Sequence, residues 1–546
     1  MGVEYNRKTN LSFFFTTLLL VVNFSTLFYV GIISSQINYR LHPVDGVIEE
    51  DTLQMKYLFS RVLGGRKDDI GKAIGIDSQD RVVITGNTDS AGFPVINAYD
   101  SSYNGPTDIY FYGDAFISSF FPNGTLYWST YFGGLLSDHG ADLVIDSQDN
   151  IIITGSTDSS DFPVLNAADP DHNGNEDAFL AKFSSKGELI WSTFLGDVGY
   201  EFGEGVAVDS FDNIYITGGW ETSPLGSYFL EAYVAKYSPN GALEWIEKVG
   251  GSLREYGMGI TIDSQNYVII TGNTDSSDFP NTNEYQGSQQ EIFLIKLNQS
   301  GGLVWSNVIG GSSDDYGRSV QTDKDDNLIL AGMTVSTDYP TKNAEDSFFD
   351  GSIDIIISKF NRNGTMLWST FLGGNHNDMT GKIYVDNQGR IYVSGVTFSM
   401  DYPLTNTSQS YLLSESNQAF LTILNPEGFI LWSETVGANQ GNYISDRGYA
   451  LVADTQQNVI IVGSTYSIYF PVTTNDGYLD GADVFICSLF NPFKERPIWS
   501  DSTSSTLNKS SITTKSISYI ITWLLVFIIL GSLVILLRSN LGWRER

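Results

Sequence analysis

Asp138 to Gly196 reads DHGADLVIDSQDNIIITGSTDSSDFPVLNAADPDHNGNEDAFLAKFSSKGELIWSTFLG. Four short apolar runs lie in it, separated by turn residues. Gly140–Asp146 carries Leu143 and Ile145 on one face. Ser147–Asn150 is polar, and Asp and Asn favour turns because their side chains bond nearby backbone groups. Ile151–Thr154 is β-branched and too short for a helix, so it reads as a strand. The Phe-Pro segment that follows is a loop, since proline cannot donate to a ladder. Asp177–Phe183 alternates as a third strand, Ser185–Gly187 turns, and Leu189–Leu195 is a fourth. One such sheet cannot bury both faces; copies stacked around an axis can, leaving only short protected edges.

The copies are counted from their landmarks. The fourth strand returns at Trp128, Trp191, Trp245, Trp305, Trp368 and Trp432, with weaker forms at Leu58–Ser60 and Ile498–Ser500. The first strand ends on an acid in every copy, at Asp77, Asp146, Asp209, Asp263, Asp323, Asp386 and Asp454. Seven first strands mean seven blades, at a repeat length typical of propellers. The chain opens on a fourth-strand motif, Tyr57 to Gly65. Closure should therefore seat that segment beside the last third strand, Asp483–Leu489, and remove the open edges.

Taken together, WSTFLGG, then D-x-G-x-x-I-x-x-D, N-x-Y/I-x-T-G-x-T and D-x-P resemble the seven-bladed beta-propeller repeat (SBBP) family. The resemblance covers about residues 57 to 500. It implies an all-β fold, a seven-bladed β-propeller of four-stranded antiparallel blades, and a microbial surface or exported location. It implies no common reaction.

Charged residues are only 17% of the chain, yet the net charge is −33. That argues against nucleic acid, whose phosphates need basic patches, and suits cations or basic partners. The single cysteine, Cys487, excludes an intrachain disulfide. The ends define further segments: 1–10 as a cytoplasmic n-region, 11–34 as a signal peptide or signal-anchor helix, and 35–55 as a linker before the propeller at 56–500. A Ser/Thr-rich stalk at 501–517 follows, then 518–537 as a transmembrane helix long enough for a bilayer, and a tail at 538–546. Arg538, Arg544 and Arg546 place that tail in the cytoplasm and the propeller outside the cell. Sequons at Asn123, Asn298, Asn363, Asn406 and Asn508 are glycosylation candidates consistent with that topology.

Three sets of residues carry chemistry. Eight positions before each first-strand acid stands another acid: Asp69, Asp138, Glu201, Glu255, Asp315, Asp378 and Asp446. If first strands line the axis, these carboxylates form a ring at one channel mouth. They either accept hydrogen bonds that fix blade spacing or bind a cation or basic group; close carboxylates repel unless bonded or neutralised. Three positions further on the copies differ: Lys72, Ala141, Glu204, Met258, Arg318, Gly381 and Tyr449. Lastly, Asp169, Asp171, Asn173 and Asp177 match the opening of a calcium loop, but the twelfth position is Leu180, so it is not an EF-hand. Calcium is the cofactor this loop would take; otherwise it is a solvated turn. The four histidines, His42, His139, His172 and His376, have no metal-pair spacing, and no nucleophile motif occurs. The expected function is a non-catalytic, membrane-anchored scaffold binding protein or glycan. The alternative is an extracellular lyase or hydrolase with its site at the channel mouth, which would need a pair of free carboxylates.

Overall fold

The turn after each first strand shows how sequence becomes local structure. Asp146 Oδ1 accepts the amides of Gln148 (2.9 Å) and Asn150 (2.8 Å), and Asp149 closes the turn at φ 63°. Asp and Asn tolerate that left-handed backbone better than other side-chain-bearing residues. Asp80, Asp212, Asn266 and Asp326 repeat it, Gly389 serves in the sixth copy and Gln457 in the seventh.

The computed structural model describes residues 56–106, 113–221, 229–280, 289–405, 417–438, 445–473, 481–491 and 493. These form seven four-stranded antiparallel sheets, a seven-bladed propeller. Blade 2 is Asp138–Ile145, Ile151–Thr157, Asp177–Phe183 and Leu189–Leu195, in that spatial order from the axis outward. Its second strand runs three residues beyond the expected end, through Gly155 to Thr157. In blade 7 the outer strand is the N-terminal Tyr57–Leu63, paired antiparallel with Asp483–Leu489, the closure expected from the sequence. The apolar segments 11–34 and 518–537 lie outside the described residues, as do the stalk and tail; among the described residues no helix is long and apolar enough to cross a membrane.

The third strand does not alternate in exposure. Asp177–Phe183 is buried throughout, as is Ile151–Thr157, because neighbouring blades cover both faces of each sheet. The core is accordingly divided into interface clusters: Ala73, Val83 and Ile117 of blade 1 pack with Leu143, Ile153 and Phe179 of blade 2. Burial of such side chains contributes roughly 1.5–3 kcal/mol each. Cys487 is one of them, fully enclosed in blade 7.

Two polar clasps lock neighbouring blades. At the turn after the innermost strand, Ser78 donates its amide (2.9 Å) and hydroxyl (2.6 Å) to Asp149 of the next blade. Ser147–Asp212, Ser210–Asn266, Ser264–Asp326 and Thr455–Asp80 repeat this clasp. At the rim, the outer-strand tryptophan donates to the hairpin of the next blade, as Trp128 does to Ser185 O (3.1 Å) and Trp191 to Pro239 O (3.3 Å). Gly187 in that hairpin holds φ +83° with its α-carbon over the Trp128 ring, where a side chain would collide.

Candidate functional site

The seven repeating acids open the innermost strands, but their side chains turn away from the channel. All seven are fully buried between blades. Each accepts a backbone amide from the segment joining it to the preceding blade: Gly65 to Asp69 (2.6 Å), Gly134 to Asp138 (2.7 Å), Asp197 to Glu201 (2.9 Å), Gly251 to Glu255 (3.0 Å), Gly311 to Asp315 (2.6 Å), Gly374 to Asp378 (2.8 Å) and Ala438 to Asp446 (2.9 Å). Hydroxyls complete the shell: Thr157 (2.5 Å) and Ser159 (3.0 Å) both donate to Asp138. These contacts are those of the first of the two expected roles, in which each carboxylate accepts hydrogen bonds that fix blade spacing. The cause is the glycine-rich turn before each acid, whose amides would otherwise be buried without a partner. Burial outweighs these bonds and pushes Asp69, Asp138 and Glu201 up to about 7 and Asp315 and Asp446 to about 6; Glu255 and Asp378 are raised too.

Several of the positions that differ between copies gather at the channel: Arg318 lines it, and Glu204, Lys72 and Tyr449 interact around it. In blade after blade the register of the innermost strand slips at that residue, between Gly71 and Ala73, Gly140 and Asp142, Gly203 and Gly205, Gly257 and Gly259, Gly317 and Ser319, Thr380 and Ile383, and Gly448 and Ala450. Lys72, Ala141, Glu204, Met258, Arg318, Gly381 with Lys382, and Tyr449 are thus bulged residues. A bulge re-aims a side chain and frees its backbone from the ladder. A cavity of about 290 Å³ on the axis takes wall residues from all seven innermost strands, among them Ile74, Asp142, Arg318, Lys382 and Ala450.

Charge converges there. Lys382 of blade 6 forms an ion pair with Asp142 of blade 2, across the channel. Asp142 also accepts the amide of Val206 on blade 3 (2.9 Å). Lys72 lies 4.7 Å from the centre of the Tyr449 ring, a cation–π contact. Burial raises Glu204, against the pull of Arg318, Lys382 and Lys72 around it. Three cationic side chains thus face two acidic ones, in a molecule of net charge −33. Nearby, His139 Nδ1 is bonded to Asn87 Nδ2 (3.0 Å), and burial with Lys72 lowers it to about 4.

The calcium-loop residues are engaged separately. Asp169 caps the Asp171 amide (3.1 Å), and Asp177 accepts the amides of Asn173 (3.0 Å) and Gly174 (3.2 Å). Among the described residues no three His, Cys, Asp or Glu side chains are gathered to hold a metal ion. Asn123 and Asn363 are exposed on hairpin tips, whereas Asn298 opens its hairpin and its Oδ1 accepts the amides of Ser300 and Gly302. Asn406, Asn508 and His42 lie outside the described residues.

Comparison with known proteins agrees on the repeat. A family model described as a beta-propeller repeat (SBBP) matches residues 128–163 and 190–218. An uncharacterized WD repeat-containing protein, L264, of Acanthamoeba polyphaga mimivirus is 21% identical over 438 residues. The match covers 62% of this chain and spans 31% of that protein's length. Similar solved structures include a gluconolactonase from Xanthomonas campestris (12% identity, 62% of this chain and 85% of that one, TM-score 0.31). Another is Sqt1 from Chaetomium thermophilum (11% identity, 80% and 100%, TM-score 0.35).

Proposed function

We propose that the protein is a non-catalytic β-propeller scaffold, anchored by residues 518–537 with the ring outside the cell, that binds a surface protein or glycan. One observation carries the choice of binding over catalysis. The acids that recur are each tied to a backbone amide, while charged residues that vary, Arg318, Glu204 and Lys72, gather at the channel. An enzyme of the lyase or hydrolase type would need those recurring carboxylates free. The excess of cationic groups in the channel favours a ligand bearing carboxylate or sulfate groups, held by charge-assisted hydrogen bonds.

The test uses the full-length chain in detergent micelles, displayed on arrays of acidic glycans and surface proteins. Capture should fall at least tenfold in Arg318→Ala, whose side chain is exposed in the channel. Capture of nothing, or capture indifferent to Arg318, would sink this reading. Antibody access to a C-terminal tag only after permeabilising cells would support the topology; access on intact cells would refute it.

A further inference from the structure

The glycine ending an outer strand is flanked by two carboxyls. Asp114 and Asp138 stand beside Gly133, Asp354 and Asp378 beside Gly373, and Glu291 and Asp315 beside Gly310. The first of each pair opens the third strand of one blade, the second the innermost strand of the next. Most of these third-strand residues have a partner nearby. Asp114 accepts the amide of Asn104 (3.0 Å), Asp177 those of Asn173 and Gly174, and Asp354 that of Asp350 (3.1 Å). Glu231 acts on Lys248, Asp483 has a partner, and Gln418 replaces the carboxyl with an amide that donates to Ala438 O.

Glu291 differs. It is 1% exposed, and neither of its carboxyl oxygens has a hydrogen bond, whereas Asp315 beside it is held by Thr334, Ser336 and the Gly311 amide. Burial pushes Glu291 up to about 8, aided by the charges of Asp315, Asp338 and Asp314, all acidic. A cleft of about 1010 Å³ between blades 4 and 5 reaches it, with Asn307, Ser312 and Asp338 also in its walls.

A buried carboxyl with two bare oxygens, set beside a second carboxyl, requires either a shared proton or a cation. Calcium accepts mixed carboxylate and water oxygens in flexible geometry, and the cleft is wide enough to supply the water. We propose that Glu291 and Asp315 hold a divalent cation of the calcium type, which ties blade 4 to blade 5 in addition to the Gly311 amide. The inference is independent of the channel and of any ligand there. With two carboxylates, a Kd on the order of 10⁻⁴–10⁻³ M is expected.

The full-length chain, stripped with EDTA, would be titrated with CaCl2 while binding heat and melting temperature are followed. Calcium should raise the melting temperature saturably. Glu291→Gln should weaken binding at least tenfold, and Asp354→Asn, at the equivalent place in the next blade, should leave it unchanged. Affinity should fall as pH drops from about 8 to 6, by up to about tenfold per unit for one displaced proton. An equal response in Glu291→Gln would overturn the site. So would a calcium-blind protein whose Glu291→Gln variant melts higher in EDTA, the signature of a shared proton.

Discussion

Asp149 does two jobs with one residue: its backbone takes φ 63° and its carboxylate receives both the amide and the hydroxyl of Ser78. Substitution can separate them. Asp149→Gly keeps the turn and loses the clasp, at a cost of about 1 kcal/mol. Asp149→Ala loses the clasp and adds roughly 1–2 kcal/mol for the left-handed backbone. Denaturant titration should rank Ala below Gly; the reverse order would show that the backbone is not strained there. Residue identity also marks what could be read in advance. The variable positions Lys72, Glu204 and Arg318 are visible in the aligned copies, but the bulge that aims them is not, because the strand is covered on both faces, with Ala73, Ile74 and Gly75 buried in succession, and offers no clean alternation for a one-residue slip to break. The third-strand acids were missed for another reason. Asp114, Asp177, Glu231, Glu291, Asp354 and Asp483 recur before an apolar run in six copies, with Gln418 in the other, and only Asp177 falls within a recognisable ligand motif.

At the scale of elements, strand identity and order were legible because turn chemistry and β-branching repeat in every copy. Exposure was not: alternation in Asp177–Phe183 reflects two different neighbours, not core against water. The outer strands show how uneven the copies are. Trp191 is 3% exposed and belongs to the core between blades 2 and 3, whereas Trp245 is only partly buried, in an outer strand that is mostly exposed. Trp191→Ala should cost about 3–5 kcal/mol, within the range for large buried aromatics, and Trp245→Ala clearly less. Equal losses in thermal melts would mean that the rim hydrogen bond, which both make, outweighs packing.

For the whole molecule, the buried carboxyls set the response to pH. Asp69, Asp114, Asp138, Glu201 and Asp354 are pushed up to about 7, chiefly by burial. An acid with a raised folded value binds more protons folded than unfolded, so its stabilisation is full below the unfolded value near 4 and is lost as pH rises through about 7. Asp146 and Asp323 are held low by bonds from Lys182 or Lys359 and from asparagine, despite burial, and work oppositely, losing stabilisation only in stronger acid. The melting temperature should therefore decline from pH 5 to pH 8, and a rise over that interval would contradict the assignment. The turn clasps complete the picture at this scale. They join five neighbouring pairs of blades, but among the described residues none links blade 6 to blade 5 or to blade 7, where Gly389 and Gln457 stand in the accepting position. A wheel laced everywhere but at one spoke should breathe at that spoke. Amide hydrogens of Ile391–Thr397 should then exchange with solvent sooner than those of Ile151–Thr157, and any force that pulls the ring apart should part it there first.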